Sequence, residues 1–423
     1  MQTGLAARKA AHNLLQQVTT EGRLMSEALG AGALDDLAPD DRARAQRLAT
    51  ETLRGLDRAD KLIRPHVKKK PSDFVQNALR MGVVELALDG AAHGVVNSYV
   101  EIVARNKKAQ GLKGLVNAVL RKISTDVADA WGKSAVPILP KWLRLPLIEA
   151  WGQKAVAGIE KSHFAGAPLD LSAKGDPADV ARATGGVVLP NGTVRLADAG
   201  QVSKLAGFVE GAWWVQDAAA SIPVKLLDPK PGMRVLDLCA APGGKTLQLA
   251  AAGAEVTAVD VSEGRMIRVQ ENLKRTGLKA DVVVSDAFDF ADTGVDAILV
   301  DAPCSATGTI RRHPDLPYAK DGSEFMALFD IQERMIDHAL TLLRPGGTLV
   351  FCTCSLLPDE GEVQVEEALN RHPGLTVDRK ALDKPWIDPA WITEEGGLRL
   401  RPDYWADAGG MDGFFVAVLT KPA

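Results

Sequence analysis

Hydrophobic patterning separates a helical first third of the chain from a later region of strands. Within residues 1–124, apolar positions recur every three or four residues, which is the spacing of a helix with one buried face. The clearest stretches are 10–18, 47–53, 78–87 and 115–122. This pattern predicts an all-helical bundle over residues 1–125.

After residue 210 the pattern changes to short apolar runs of strand length. These runs are 235–238, 255–259, 281–285, 295–300 and 347–352, with a helix predicted through 247–251 after the first run. The order predicts a Rossmann-like α/β domain over residues 211–423, with a doubly wound, mostly parallel sheet. The intervening residues 126–210 are less regular and are predicted to form a linker and a small α/β subdomain, with a possible strand at 169–172. Trp213 and Trp214, at the entry to the last domain, are expected to pack between subdomains rather than to stack on bases.

Charge follows the same division. Residues 1–124 carry 20 Lys and Arg against 13 Asp and Glu, whereas the rest of the chain carries 30 against 41. The basic clusters of the first region are Lys68, Lys69, Lys70, Lys107, Lys108, Lys113, Arg121 and Lys122. If these residues share one side, they would face the phosphates of a nucleic acid. A solvated basic surface is the alternative.

Two of the four cysteines follow predicted strands directly. Cys304 lies in the segment Asp301-Ala302-Pro303-Cys304-Ser305, and Cys354 lies in Thr353-Cys354-Ser355. Ligands of open parallel sheets bind beyond the carboxyl ends of the strands, so both thiols are expected to face one crevice. The alternative is that they are small buried hydrophobic residues, which is the expectation for Cys352. The cysteine spacing does not match a structural zinc site, and no metal is predicted.

The segment Cys239-Ala240-Ala241-Pro242-Gly243-Gly244-Lys245-Thr246 predicts a strand, a turn of small residues and a helix, as in nucleotide-binding folds. A phosphate loop would need a glycine where Cys239 stands, which argues against a nucleotide hydrolase. Asp260 ends the next strand and is a candidate for binding a ribose. Asp286 and Asp301 follow the third and fourth strands. Carboxylates at these positions indicate a cofactor that contains adenosine.

Four motifs together resemble the Nop/Sun family of RNA cytosine-5 methyltransferases. They are residues 239–246, 301–308, 353–355 and Asp412-Gly413-Phe414-Phe415. The resemblance implies S-adenosylmethionine as the cofactor, with Asp260 on its ribose and Asp286 near its adenine. The other residues that it implies for cofactor binding are Cys239, Ala240, Ala241, Pro242, Gly243, Gly244, Lys245 and Asp301.

The resemblance also implies how a cytosine would be methylated on carbon 5. Cys354 would attack carbon 6, Asp301 would hydrogen-bond the base, and Cys304 would assist release of the enzyme. A thiol suits the first role because it is strongly nucleophilic near neutral pH. DNA cytosine methyltransferases use the cysteine of the Pro-Cys motif instead, and the spacing in the sequence leaves that assignment to Cys304 open.

Residues 1–125 resemble the NusB-like RNA-binding domain, especially through 115–122. Joined to the methyltransferase motifs, this domain implies a substrate in small-subunit (16S) ribosomal RNA. Transfer RNA or another ribosomal site is the alternative within the class, and a non-catalytic RNA-binding antitermination factor is the alternative outside it. The sequence leaves open which cytosine is modified, whether free RNA or a ribosomal particle is bound, the oligomeric state, and whether the middle subdomain contacts RNA.

Length and hydropathy agree with this interpretation. A chain of 423 residues with 46% apolar residues is long enough for two or three domains. No apolar run approaches the ~20 residues of a membrane span, and the first residues lack the apolar core of a signal peptide. We therefore expect a cytoplasmic protein with reduced thiols.

Overall fold

The computed structural model describes residues 4–88, 90–197 and 200–423. The chain forms two compact units. One consists of the chain up to Gly166 together with Ile310–Asp321, and the other of Ala167–Thr309 together with Gly322–Ala423. A segment from the second half of the chain therefore belongs to the first unit.

The first unit is helical, as predicted. Numbered along the chain, its helices are α1 (Leu5–Glu21), α2 (Met25–Gly30), α3 (Pro39–Arg54), α4 (Leu56–Ile63), α5 (Asp73–Ala87), α6 (Ala92–Ala104), α7 (Lys113–Ile123), α8 (Val127–Lys133) and α9 (Lys141–Ala165), the last kinked at Gly152. Helix α5 is the central one, because it packs against α1, α3, α4, α6, α7 and α8. Its Leu79 and Met81 are fully buried. A helix that is apolar on most sides is expected at the centre of such a bundle.

Buried charges in this unit have partners. The Arg8 guanidinium donates to the Glu85 carboxylate, which also accepts from the Tyr99 hydroxyl at 3.0 Å. Arg80 makes a two-pronged contact with Asp60, at 2.6 and 2.7 Å. Such pairing satisfies groups that would be costly to bury alone.

The segment Ile310–Asp321 is held by polar contacts as well as by packing. It contains the short helix α14 (Leu316–Ala319). The backbone N–H of Met25 donates to Asp315 at 2.8 Å, and Trp142 Nε1 donates to the Pro317 carbonyl at 3.3 Å. The segment is thus an integral part of the helical unit.

The second unit is built on an eight-stranded sheet and a smaller four-stranded one. Its strands are β1 (Leu169–Ala173), β2 (Val187–Val188), β3 (Val194–Leu196), β4 (Trp213–Val215), β5 (Arg234–Leu238), β6 (Glu255–Asp260), β7 (Asp281–Val284), β8 (Val295–Asp301), β9 (Leu343–Thr353), β10 (Thr376–Val377), β11 (Leu398–Leu400) and β12 (Phe414–Thr420). Its helices are α10 (Pro177–Thr184), α11 (Ile222–Leu227), α12 (Gly244–Ala251), α13 (Glu263–Thr276), α15 (Phe325–Leu342) and α16 (Glu362–Arg371).

The large sheet has the predicted character. Its order is β10-β12-β9-β8-β5-β6-β7, with β11 paired to β12. Strands β9, β8, β5, β6 and β7 run parallel, and β12 lies antiparallel to β9. The carboxyl ends of β5, β6, β7, β8 and β9 therefore meet at one edge, where parallel sheets place their ligands.

The small sheet has the order β2-β3-β1-β4, and α10 packs against it. Strand β1 confirms the strand predicted at residues 169–172. Trp213 and Trp214 on β4 are almost fully buried, and their indole N–H groups donate to the Ala206 carbonyl and to Gln216. Packing between subdomains was predicted for both. Trp214 fits that prediction, because it packs in a cluster with Ala240 and Leu247, whereas Trp213 packs within the small subdomain, in a cluster with Leu171 and Val194.

Among the described residues, no helix combines the length and the apolar character that crossing a membrane requires.

Candidate active site

A cleft of about 430 Å³ opens at the carboxyl ends of the parallel strands, and we call it the carboxyl-end cleft. It brings together seven predicted site residues: Cys239, Ala241, Asp260, Asp286, Asp301, Cys304 and Cys354. The predicted residues Ala240, Pro242, Gly243, Gly244 and Lys245 do not line the cleft, although they lie in the turn at its edge. The volume falls in the range of about 300–1,000 Å³ that is typical of small-molecule sites.

The turn between β5 and α12 is tied to the end of β6. The backbone N–H of Ala241 donates to Asp260 Oδ2 at 3.1 Å, and Ser262 N–H donates to Asp260 Oδ1 at 2.9 Å. Gly243 has φ 100°, and a Cβ there would lie 3.1 Å from Val269. Gly243 is therefore required by the turn itself. Carboxylate oxygens can accept more than one hydrogen bond, so Asp260 retains capacity for a ribose hydroxyl.

Asp286 lies two residues beyond β7 and caps the following turn. Its Oδ1 accepts from the Phe288 N–H at 2.9 Å. The Phe288 ring lines the cleft and lies 4.5 Å below the Arg334 guanidinium. An aromatic face beside a carboxylate suits a purine. Phe288, two residues after Asp286, was not predicted as a site residue.

Asp301 is held from both sides. Lys245 Nζ lies 2.7 Å from its Oδ2, and Cys352 Sγ lies 3.5 Å from its Oδ1. Burial lowers the pKa of Lys245, but the charge of Asp301 raises it, and the net change is a rise. Lys245 therefore stays charged, and its ammonium group fixes the orientation of the Asp301 carboxylate.

The two predicted cysteines form a close pair. Cys304 Sγ and Cys354 Sγ are 3.4 Å apart, and both line the cleft. The hydrogen bond with Cys354, and after it burial, raise the pKa of Cys304 well above that of a free thiol. Cys352 is fully buried, which raises its pKa in the same direction. It packs as predicted but also touches Asp301, which was not predicted.

Backbone contacts fix the position of the Cys354 loop. Gly308 N–H donates to the Cys354 carbonyl at 2.9 Å, and Gly413 N–H donates to the Gly308 carbonyl at 2.8 Å. A Cβ on Gly308 would lie 2.1 Å from the Gly413 carbonyl oxygen. The motif at residues 412–415 thus supports the cysteine loops through its backbone.

A buried carboxyl group lies beneath the turn. Thr246 Oγ1 donates to Asp237 Oδ2 at 2.6 Å, while Asp237 Oδ1 has no hydrogen-bond partner among the described residues. Burial raises the pKa of Asp237 to about 7. The desolvation of Asp237 depends on the packing of the whole sheet and is not evident from the sequence.

Other residues near the cleft were also missed. Arg265 lies 3.7 Å from Asp260 and donates to the Ala241 carbonyl. Gln332 and Glu360 are fully buried and bond to the Cys304 loop. Arg265 could have been expected near the cleft, because it lies on α13, the helix that follows β6. No pattern in the sequence indicates that Gln332 or Glu360 would lie there.

Comparison with known proteins agrees with the site geometry. Residues 224–420 match the family model for 16S rRNA methyltransferase RsmB/F, and residues 5–125 match the NusB family. The chain is 34% identical over 454 residues to the ribosomal RNA small subunit methyltransferase B of Vibrio vulnificus, covering 98% of this chain and 99% of the relative. It is also 34% identical to the protein of that name from Cronobacter sakazakii, covering 100% of both. The crystal structure of PH0851 superposes with a TM-score of 0.75 at 23% identity, covering 100% of this chain and 99% of that one, and so has the same fold.

Proposed function

Because this chain belongs to the RsmB/F family of 16S rRNA methyltransferases, we propose that it methylates carbon 5 of a cytosine in small-subunit ribosomal RNA through a covalent adduct with Cys354. Membership of this family shows that the chain is an RNA methyltransferase. The position of the methyl group and the covalent step are our proposal.

S-adenosylmethionine is the cofactor of this family, and it supplies the methyl group when bound. The carboxyl-end cleft fits it: Asp260 would take the ribose, and Asp286 with Phe288 would take the adenine. The turn of small residues at 239–245 would allow the backbone to approach the cofactor closely.

The observation that carries the proposal is the pair of thiols 3.4 Å apart beside Asp301. Carbon 5 of cytosine is a poor nucleophile until another group adds to carbon 6. Such a reaction needs a covalent nucleophile, a group at the edge of the base, and a group that later takes the carbon 5 proton. Two cysteines and a carboxylate supply these three functions.

We assign attack on carbon 6 to Cys354 and assistance in release to Cys304. Asp301 would hydrogen-bond the base, with its carboxylate oriented by Lys245. A cytosine within a paired helix hides its face, so the target would lie in a loop or be flipped out of a helix.

RNA binding would be shared with the helical unit. The basic residues that could contact RNA are all exposed: Lys68, Lys69, Lys70, Lys107, Lys108, Lys113, Arg121 and Lys122. Lys70 lies 3.2 Å from Asp73. We propose residues 1–125 as the RNA-binding domain, residues 126–210 as the linker and small α/β subdomain, and residues 211–423 as the methyltransferase domain.

The test is to trap the adduct. The Cys304→Ala and Cys354→Ala variants are expressed in cells, and protein that remains joined to RNA under denaturing conditions is isolated and its RNA sequenced. We expect an adduct in Cys304→Ala and none in Cys354→Ala, with 16S RNA in the trapped material.

Other outcomes separate the alternatives. An adduct only in Cys354→Ala would show that Cys304 is the nucleophile and that Cys354 assists release. If the trapped RNA were transfer RNA or another ribosomal fragment, that RNA would be the substrate in place of the proposed one. No adduct in either variant, with no methyl transfer by the parent protein, would favour a non-catalytic RNA-binding factor.

A further inference from the structure

A buried carboxylate connects the two cysteine loops. Glu360 lies in the turn before α16, and its side chain is fully buried. It accepts from the Ser305 N–H at 2.9 Å, from the Ser305 hydroxyl at 2.5 Å, and from the Gln332 amide at 3.0 Å. All three contacts use Glu360 as an acceptor, which is the role of an ionised carboxylate.

A ring of hydroxyl groups extends this contact to the second loop. Ser305 Oγ lies 3.2 Å from both Ser355 Oγ and Thr307 Oγ1, and Thr307 Oγ1 lies 3.3 Å from Ser355 Oγ. The residue that follows each cysteine is therefore linked to the residue that follows the other. Each of these three buried hydroxyl groups has a hydrogen-bond partner in the ring, which restricts the motion of both loops.

The loop is also held on the other side of Cys304. Gln332 donates to the Pro303 carbonyl at 2.9 Å through the same amide that contacts Glu360. Glu360 thus holds Ser305 directly and Pro303 through Gln332. Removing its side chain would break its two contacts with Ser305 and the contact that fixes the Gln332 amide.

The charge of Glu360 acts on Cys304. It adds to the hydrogen bond and the burial that raise the pKa of Cys304. Two thiols in contact can share one proton, and a negative charge near one of them favours the proton on that sulfur. Here the proton is favoured on Cys304, the sulfur whose loop Glu360 holds through Ser305.

We propose that Glu360 is a positioning residue that makes Cys354, rather than Cys304, the nucleophile of the pair. It acts by fixing the Cys304 loop against the Cys354 loop and by its charge beside Cys304. This inference rests on the proposed function, in which one cysteine of the pair attacks the base.

The test compares Glu360→Gln and Glu360→Ala with the parent in the full-length protein. A glutamine can keep its oxygen toward the Ser305 N–H, while its amide donates to the Ser305 hydroxyl, so it removes the charge and retains the contacts. Asp359→Asn is the matched control, because it removes the same charge from the neighbouring, exposed residue.

The measurement is alkylation by iodoacetamide without RNA or cofactor, from about pH 6 to pH 10, with each cysteine quantified by peptide mass spectrometry. We expect Cys354 to react faster than Cys304 in the parent protein and in Asp359→Asn. In Glu360→Gln the ratio of the two rates should fall by about tenfold, the effect of moving the pKa of one thiol by about one. A role confined to structural support would leave the ratio and its pH profile unchanged.

Methyl transfer provides a second readout. Glu360→Ala should lower kcat by about 100-fold with little change in the KM for S-adenosylmethionine, because the cysteine loops rather than the cofactor residues lose their support. Faster alkylation of Cys304 than of Cys354 in the parent, or an unchanged ratio in Glu360→Gln, would overturn the inference. Absence of an RNA adduct would instead contradict the proposed function, and the alkylation result would still stand.

Discussion

The two ends of the parallel sheet both carry a cavity, and the larger one is at the end without thiols. The amino-end cleft, about 760 Å³, is lined by the first residues of β5, β6, β7 and β8, including Arg234, Glu255 and Asp281. The carboxyl-end cleft is about 430 Å³. Size alone favours the amino end, whereas strand direction and the chemistry of the side chains favour the carboxyl end, where we propose the active site.

The charged groups at the two ends of the sheet differ in their exposure to solvent. At the amino end, Arg234 pairs with Asp292 at 2.9 Å, and both side chains are about half exposed. At the carboxyl end, burial raises the pKa of Asp237 to about 7 and that of Cys239 to about 12, the latter with help from Asp301 and Asp260. Desolvation therefore raises the pKa of acidic groups at the carboxyl end, as expected where groups are removed from water.

The largest effect is expected from Cys354→Ala. Loss of the covalent nucleophile should lower methyl transfer by at least about 10³-fold, because no other group at its position can add to carbon 6. The measurement is transfer of labelled methyl groups to 16S RNA. The control is Cys352→Ala, which removes a thiol from the same strand and should lose less than about tenfold. Equal losses in the two variants would contradict the special role of Cys354.

The next largest effect concerns the cofactor. Asp260→Ala removes the carboxylate that accepts from Ala241 and Ser262 and that we expect to hold the ribose. S-adenosylmethionine should bind at least about 30-fold more weakly, as expected for the loss of a hydrogen bond to a charged group. Isothermal titration calorimetry measures this directly. Glu263→Gln, an exposed change on the adjacent helix, should leave the affinity unaltered.

Much of this carboxyl-end cleft could be predicted because parallel strands deliver their last residues to one edge. Asp260, Asp301 and Cys354 each directly end or follow a strand, so the spacing of apolar runs was enough to bring them together. Lys245 was expected to bind the cofactor, which stays a prediction. The structure shows its ammonium group on Asp301, a contact that depends on the register of β5 against β8.

Other features needed the tertiary structure. Glu360 and Gln332 meet the Cys304 loop from distant parts of the chain, and neither lies at the end of a parallel strand. The segment Ile310–Asp321 follows the methyltransferase motif in sequence but packs within the helical unit. Periodicity describes which face of an element is buried, and it does not specify which distant element covers that face.

A smaller effect is expected on stability as a function of pH. Asp237 binds its proton more tightly in the folded than in the unfolded protein, since burial raises its pKa to about 7. Its contribution is therefore most favourable below about pH 4 and is lost as the pH rises to about 7. Relative to Asp237→Asn, which does not ionise, the parent should lose on the order of a few kcal/mol of unfolding free energy across this range. Urea unfolding at intervals of pH measures the difference, and a constant difference would exclude a raised pKa for Asp237.

The smallest effect is expected at the amino end of the sheet. Asp292→Asn breaks the exposed ion pair with Arg234, and exposed pairs contribute only about 0–1 kcal/mol because water and salt screen them. The unfolding free energy of Asp292→Asn should differ from that of the parent by less than about 1 kcal/mol, and the difference should decrease with added salt. The rate of methyl transfer should equal that of the parent. A variant with normal stability but impaired methyl transfer would show that the amino-end cleft takes part in the reaction. The two ends of the sheet would then differ less in function than their side chains indicate.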